Sequence, residues 1–442
     1  LRMFGTDGVR GKANTELTPE LALALGRAAV TTLVNSHSPV VFVGRDTRRS
    51  GDLLVSALAA GCMSAGAEVV DLGVVPTPAL AYLTRRHGAG IGAVISASHN
   101  PAIDNGIKFF SRDGYKLADE AEDKIEALVR NGGARAVAGD RVGLLRQDAT
   151  LTKDYLAYLK SVAPVNLAGL RIVVDAANGA AFALAPALFA ALGASVIPLN
   201  VSPDGLNINV RAGSTHPERM QETVRAEAAH LGLAFDGDAD RLIACDSRGR
   251  LADGDNILHI CASFLHAQGM LPHATVVGTV MSNLGLDAVL RRKDITVRRA
   301  PVGDRYVLAE MQSSGAVLGG EQSGHCIFLG SSTTGDGLLT ALMLLKAIVE
   351  QGRPLDAWLD ELRRYPQVLL NIAVPNKHAA MHHIAVKEAI VRAETSLGEM
   401  GRILVRPSGT EACVRVMVEA PDEDMASSTA EAVAATIRSV SA

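Results

Sequence analysis

Three aspartates alternate with smaller residues in DGDADR, residues 236 to 241. Asp236, Asp238 and Asp240 stand at i, i+2 and i+4, so in an extended segment all three side chains leave on one side. Apolar sequence borders them, LGLAF before and LIAC after. Carboxylates crowded beside a core repel one another and hold protons more tightly unless a cation sits among them. Hard oxygen ligands favour Mg²⁺, which keeps positions open for water and a phosphate. An EF-hand does not fit, because the sixth loop position is Arg241 rather than Gly and the twelfth is Ser247 rather than Glu. The alternative is an acidic surface turn.

A second group lies in ISASHNPAIDNGIKFF, residues 95 to 110. Ser98 follows an apolar, strand-like run, and Asn100-Pro101 marks a turn that would hold its hydroxyl at a strand end. A serine hydroxyl is a weak nucleophile without a base or a metal. His99 is a poor base for it, because sequence neighbours in extended chain point to opposite faces. Without a partner, Ser98 is an ordinary turn residue. Asn105-Gly106 reads as a turn ending in Lys108, which apolar neighbours would desolvate; it reads as a proton-transfer group or a phosphate clamp, against a surface lysine that snorkels.

Three further loops suit anions or polyols. RPSGTE, residues 406 to 411, gathers Arg406, Ser408, Gly409 and Thr410, and Arg415 lies on the next strand-like run. Backbone N–H groups, hydroxyls and a guanidinium can converge there on one phosphate, although a hairpin turn explains the same residues. FGTDGVRG, residues 4 to 11, delivers Arg10. GEQSGH, residues 320 to 325, collects Glu321, Gln322, Ser323 and His325 as sugar-type hydrogen-bonding groups. No GxxxxGK[ST] loop occurs and GAGIGA, residues 88 to 93, misses the GxGxxG spacing, which disfavours a nucleotide-dependent kinase or dehydrogenase.

Something must hold these loops together. Runs rich in Val and Ile alternate with alanine-rich helical stretches, the signature of βαβ units and an α/β fold. VVFVGRD, AEVVDLG and AVISASHN form a first strand set; RIVVDAANG, ASVIPLN and LGLAFDGDADRLIACD a second; TVVGTVMSN, DITVRRAPVGD and AVLGGEQSGH a third. Three related α/β domains with mixed or parallel sheets are expected, presenting strand-end loops to a shared central cleft. A small C-terminal α+β domain follows. The expected boundaries are 1–150, 151–252, 253–366 and 367–442. With 442 residues, several cores are needed.

Composition narrows the partners. A net charge of -4 with intermingled signs leaves no footprint for nucleic acid or an anionic membrane, so a small molecule is the expected partner. Five scattered cysteines without a CxxC spacing argue against a disulfide framework or a zinc site and suit a cytoplasm. The N-terminus lacks a signal-peptide apolar core. LLTALMLLKAIV, residues 338 to 349, carries Lys346 and is too short to span a bilayer, so it reads as a buried helix.

Taken in order, FGTDGVRG, GRDTRRS, SASHNP, DGDADR, GEQSGH and RPSGTE resemble the α-D-phosphohexomutase family across essentially the whole chain. The wording of ISASHNP, VGDRYV, GEQSGH with TTGDG, and YPQVLLN is similar to the branch that acts on glucosamine phosphates. The resemblance implies a four-domain isomerase interconverting glucosamine 6-phosphate and glucosamine 1-phosphate through a 1,6-bisphosphate, for UDP-N-acetylglucosamine synthesis. It implies that Ser98 is phosphorylated and that Asp236, Asp238 and Asp240 hold one Mg²⁺ together with an oxygen on Ser98. It assigns Arg10 and Lys108 to the transferring phosphoryl group and Lys108 to acid/base work, and it puts His325 near the reacting end. Glu321 and Ser323 would hold sugar hydroxyls; Arg406, Ser408, Gly409, Thr410 and Arg415 would grip the other phosphate. A glucosamine or glucose 1,6-bisphosphate as activator, an activating kinase and a homodimer complete the expected partners. Gln322 is a guess for reading the 2-amino group. The competing readings are a mutase for mannose or glucose phosphates, a metal-dependent phosphatase using the same serine, and a non-catalytic sugar-phosphate binder.

Overall fold

β-Branched side chains pack well on a pleated surface, so the Val- and Ile-rich runs become strands and the alanine- and leucine-rich runs become crossover helices. The computed structural model of the chain describes residues 2–5, 7–34, 39–134, 136–408 and 412–441, without the side chain of Glu399. Its first sheet contains β1 (Val9–Lys12), β2 (Val40–Arg45), β3 (Glu68–Val74), β4 (Ile91–Ile95), β5 (Asp104–Ser111) and β6 (Leu145–Gln147), in the order β1-β5-β4-β2-β3-β6. The second contains β7 (Arg171–Asp175), β8 (Ser195–Leu199), β9 (Leu231–Phe235), β10 (Leu242–Asp246) and β11 (Leu251–Ala252), ordered β11-β10-β9-β7-β8. The third contains β12 (Thr275–Thr279), β13 (Thr296–Ala300), β14 (Leu318–Gly320) and β15 (Cys326–Phe328), ordered β13-β12-β14-β15.

One topology therefore occurs three times, as β3-β2-β4-β5, β8-β7-β9-β10 and β13-β12-β14-β15. In each, three strands run parallel and the fourth returns antiparallel beside the third. The similarity that the sequence shows only as a pattern is a repeated connectivity. β4 and β9 are buried along their whole length, the expected state of central strands covered on both faces. Each fully buried Val, Leu or Ile contributes about 1.5–3 kcal/mol by leaving water, so β4 and β9 anchor the loops that follow them in the core.

Two local expectations are corrected. LGLAFDGDADRLIACD is not one strand but the hairpin β9–β10, with DGDADR as its connection. Asn105-Gly106 is not a turn; it lies inside β5, because Gly106 pairs with Arg10 on β1. Residues 338–349 do form a buried helix, Gly337–Glu350, whose first turn is capped by Asp336 through Leu339 N at 2.9 Å. All five cysteines are free and buried. Among the described residues no helix is long and apolar enough to cross a membrane.

The three repeats lie in one compact unit, Leu1–Met281 with Ile295–Asp360. A second unit, Ser282–Asp294 with Glu361–Ala442, has an antiparallel sheet of β16 (Gln367–Ala373), β17 (Arg402–Pro407) and β18 (Cys413–Glu419), ordered β16-β18-β17. Its core joins Ile372, Val414, Val416 and Val418 of the sheet to Val386, Ala430 and Val433 of the helices Ile384–Leu397 and Glu423–Ser441.

Candidate active site

The loop between the third and fourth strands of each repeat carries one of the chemical motifs. Residues 96–103 join β4 to β5, residues 236–241 join β9 to β10, and residues 321–325 join β14 to β15. All three open on one cavity of 440 Å³, whose lining includes Arg10, Ser98, Asp240, Arg241, Glu321 and His325.

Ser98 is buried with φ +50°, a left-handed conformation unusual for a residue with a side chain. Its backbone N–H donates to Ser96 Oγ at 2.9 Å, and Ser96 Oγ in turn donates to Asp46 at 2.6 Å. Held this way, Ser98 Oγ donates to Asp236 Oδ2 at 2.6 Å. The nucleophile candidate and the acidic loop thus meet across 138 residues of sequence. His99 Nδ1 lies 3.4 Å from the hydroxyl, a weaker contact than the carboxylate.

Asp236, Asp238 and Asp240 are all buried and each offers a carboxylate oxygen within 4.8 Å of the others. Their convergence does not come from extended chain. Ala239 is left-handed at φ +57° and its N–H donates to Asp236 O at 3.0 Å, so a tight turn gathers the carboxylates. Burial first, then the charges of Asp240 and Asp238, push the Asp236 carboxyl well above the usual carboxylate range. For Asp240 burial pulls the same way, but His325, Lys108 and Arg241 outweigh it and hold the carboxyl below its ordinary value. Asp238 Oδ1 and Asp240 Oδ1 are buried and accept no hydrogen bond. Three hard oxygen donors, two of them with an idle buried atom, fit a divalent metal ion.

Lys108 is 2% exposed, which removes the snorkelling alternative. Its Nζ lies 2.9 Å from Asp238 Oδ2, 2.9 Å from Asp7 Oδ2 and 4.0 Å from Asp240 Oδ2. Burial disfavours the ammonium, yet Asp238, Asp7 and Asp240 overcome it and raise its pKa above the lysine value. Asp7 also pairs with Arg10 and with Lys116, the latter at 2.6 Å, and Lys116 continues to Asp304 at 2.5 Å. His325 is buried between Asp240 and Asp304, at 3.6 and 3.8 Å, and its Nε2 accepts the N–H of Gly335 at 3.1 Å, which leaves the ring proton on Nδ1 facing Asp240. Glu321 Oε1 accepts the N–H of Gly303 at 3.0 Å. Ser323 is exposed on the same loop and is not among the residues lining the cavity.

In the second unit, Arg406 and Arg415 are register partners on β17 and β18. Ser408 is buried; its N–H donates to Cys413 O at 2.9 Å and its carbonyl accepts from Lys377 Nζ at 2.5 Å. Gly409 and Thr410 lie outside the described residues.

Several site residues carry no local signal in the sequence. Thr77 opens the helix Thr77–His87 and donates its hydroxyl to Asp238 Oδ2 at 2.6 Å and its N–H to Asp238 O at 3.0 Å. Lys116 and Asn209 are equally silent. Asp7 and Arg48 do sit in quoted motifs, FGTDGVRG and GRDTRRS, whose spacing alone assigns them nothing.

Comparison with known proteins agrees with this arrangement. Residues 1–136, 153–249 and 253–365 match alpha/beta/alpha domains I, II and III of phosphoglucomutase/phosphomannomutase, and residues 369–436 match its C-terminal domain. A phosphoglucosamine mutase of Pelotomaculum thermopropionicum is 55% identical over 420 residues, covering 94% of each chain. A phosphoglucomutase/phosphomannomutase family protein of Burkholderia thailandensis is 26% identical with a TM-score of 0.83, over 99% of this chain and 97% of that one. An N-acetylphosphoglucosamine mutase of Aspergillus fumigatus, solved with GlcNAc-6P and magnesium, shares the fold at a TM-score of 0.68 and 19% identity, over 100% of this chain and 96% of that one. With four domain models matched along its length and a relative 55% identical over 94% of it, the chain belongs to the phosphoglucomutase/phosphomannomutase family, the α-D-phosphohexomutases.

Proposed function

We propose that this chain is an isomerase interconverting glucosamine 6-phosphate and glucosamine 1-phosphate, through phosphoserine at position 98 and a glucosamine 1,6-bisphosphate intermediate. The observation that carries the reading is the 2.6 Å contact of buried Ser98 Oγ with Asp236, which joins a hydroxyl nucleophile to an acidic triad from another sheet. The relative at 55% identity bears the name of this activity.

Phosphoryl transfer depends mainly on positioning and on neutralising charge. Asp236, Asp238 and Asp240, with an oxygen on Ser98, would hold Mg²⁺, which when bound offsets the negative charge of the phosphoryl oxygens. Arg10 and Lys108 add positive charge from the protein. Lys108, kept as an ammonium by its carboxylate neighbours, donates a proton to Ser98 Oγ as the bond to phosphorus breaks. The sugar hydroxyl that forms the new bond gives up its proton as it attacks phosphorus, which restores the Lys108 ammonium; His325, with its ring proton on Nδ1 toward Asp240, sits near the reacting end. Glu321, which lines the cavity, orients the sugar hydroxyls; Ser323, exposed on the same loop, is the second candidate for that role by resemblance. Once the bisphosphate has turned over, its other phosphate returns to Ser98 and the proton transfers reverse. Arg406, Ser408, Gly409, Thr410 and Arg415 grip the phosphate that is not reacting; two arginines paired in register across β17 and β18 suit an anion.

On the resemblance, the proposal extends to domains at 1–150, 151–252, 253–366 and 367–442. It also includes a glucosamine or glucose 1,6-bisphosphate or a kinase as the source of the first phosphate, a homodimer, and a cytoplasmic enzyme. The test is isomerisation with added Mg²⁺, comparing kcat/KM on glucosamine, glucose and mannose phosphates. Preference for glucosamine is expected. A strong mannose preference, or inorganic phosphate released as fast as isomer forms, would overturn the reading.

A further inference from the structure

Ser98 holds a backbone conformation that a residue with a side chain adopts only when its surroundings over-determine it. Two buried side chains do this. Arg48, 2% exposed, donates through Nη2 to the carbonyls of Ser98 and Asn100, both at 2.9 Å, and is itself anchored to Asp46 at 2.9 Å. Asn209, from the second repeat, donates through Nδ2 to the same two carbonyls, at 2.8 and 3.1 Å. Each carbonyl oxygen has two lone pairs, so two donors apiece leave neither free to rotate toward another partner.

Asparagine is the residue type this position demands. Its own φ is +61°, which Asn tolerates better than other side chains, and its amide nitrogen alone can offer two hydrogens to two acceptors. The acidic loop makes room for the arrangement at Gly237, where an added Cβ would lie 2.5 Å from Ser98 O and 2.8 Å from Asn209 Nδ2. Three separate segments therefore close on the Ser98 peptide.

We infer that Asn209 is a positioning residue for phosphoryl transfer: acting across the boundary between the first and second repeats, it fixes the Ser98 peptide so that the hydroxyl faces the aspartate loop. It is not among the residues that line the cavity. The inference rests on the mutase reading for its kinetic consequence, whereas the brace itself is open to measurement without turnover.

Two variants separate the terms. Asn209→Gly keeps the left-handed backbone and removes the donor; Asn209→Asp keeps the shape and sets a carboxylate against two carbonyl oxygens. With enzyme phosphorylated on Ser98, quenched single-turnover transfer to glucosamine 6-phosphate should slow about 10-fold in Asn209→Gly and about 100-fold in Asn209→Asp, the scale of a displacement near 1 Å. KM should stay within about threefold, and Mn²⁺ affinity, read by electron paramagnetic resonance, should match the wild type. Amide hydrogen exchange over residues 96–104 should quicken in both variants. Transfer rates and exchange equal to wild type would overturn the inference, as would a loss of Mn²⁺ affinity in step with rate, which would mean general collapse of the site. A wild-type protein that does not isomerise would sink the mutase reading, and hydrogen exchange alone would then decide for or against the brace.

Discussion

The loop of residues 96–103 and the loop of residues 236–241 occupy the same topological place, between the third and fourth strands of a repeat. Each contains one left-handed residue with a side chain, Ser98 at φ +50° and Ala239 at φ +57°. Their chemistry is opposite: one presents a hydroxyl, the other three carboxylates. Their supports differ as well. The serine loop is held by side chains, Ser96, Arg48 and Asn209, acting on backbone groups. The acidic loop is held largely by backbone groups: the N–H of Thr77 donates to Asp238 O, and that of Gly337 to Ala239 O, both at 3.0 Å. A strand-end turn in a repeated scaffold can thus be given either role, with backbone carbonyls of each turn held by donors from other segments of the chain.

Ser98→Ala breaks the comparison most severely. Turnover should fall by about 10⁴-fold or more, the scale of a lost nucleophile, while Mn²⁺ still binds and the isomerisation assay and a metal titration run side by side show the two loops uncoupled. Asp236→Asn should weaken metal binding by about 100-fold through loss of a charged ligand. The same change relieves the mutual repulsion of the carboxylates, so thermal melting of the metal-free variant should rise, whereas added Mg²⁺ should stabilise the wild type and not the variant.

A smaller effect concerns the support of the acidic loop. Asp336 stands next to Gly337, accepts the hydroxyl of buried Tyr155 at 2.8 Å, and has its carboxyl pushed up to about 6, chiefly by burial. The folded state therefore holds this proton more tightly than the unfolded chain does. That contribution to stability is full below the ordinary carboxyl range and is lost as pH rises to about 6. Asp336→Asn should reduce the fall in stability between those limits by up to about 3 kcal/mol, visible as a flatter pH profile of urea unfolding. The smallest expected change is Ala239→Gly, which relaxes the left-handed strain of the turn against a gain in unfolded-state entropy; a shift within about 1 kcal/mol and an unaltered Mn²⁺ affinity would show that the turn is fixed by its partners rather than by its own residue.

The α/β class, the threefold likeness and the acidic triad are legible in the sequence because they depend on local patterning. The reason for the triad's convergence is not: alternation suggests an extended face, whereas the turn at Ala239 does the gathering. Asn105-Gly106 misleads in the same way, since pairing of Gly106 with Arg10 overrides its turn propensity. Asn209, Thr77 and Lys116 stay silent because each acts on a group more than 100 residues away, through hydrogen bonds that no local spacing encodes.

The most direct measurement follows the phosphoryl group itself. Enzyme carrying ³²P on Ser98 is mixed with unlabelled glucosamine 6-phosphate and Mg²⁺, quenched over time, and the products are separated. The account predicts that label leaves the protein into the 1,6-bisphosphate and then into the monophosphate pool. Label that passes straight to inorganic phosphate, or isomer that forms while the protein keeps its label, would contradict it.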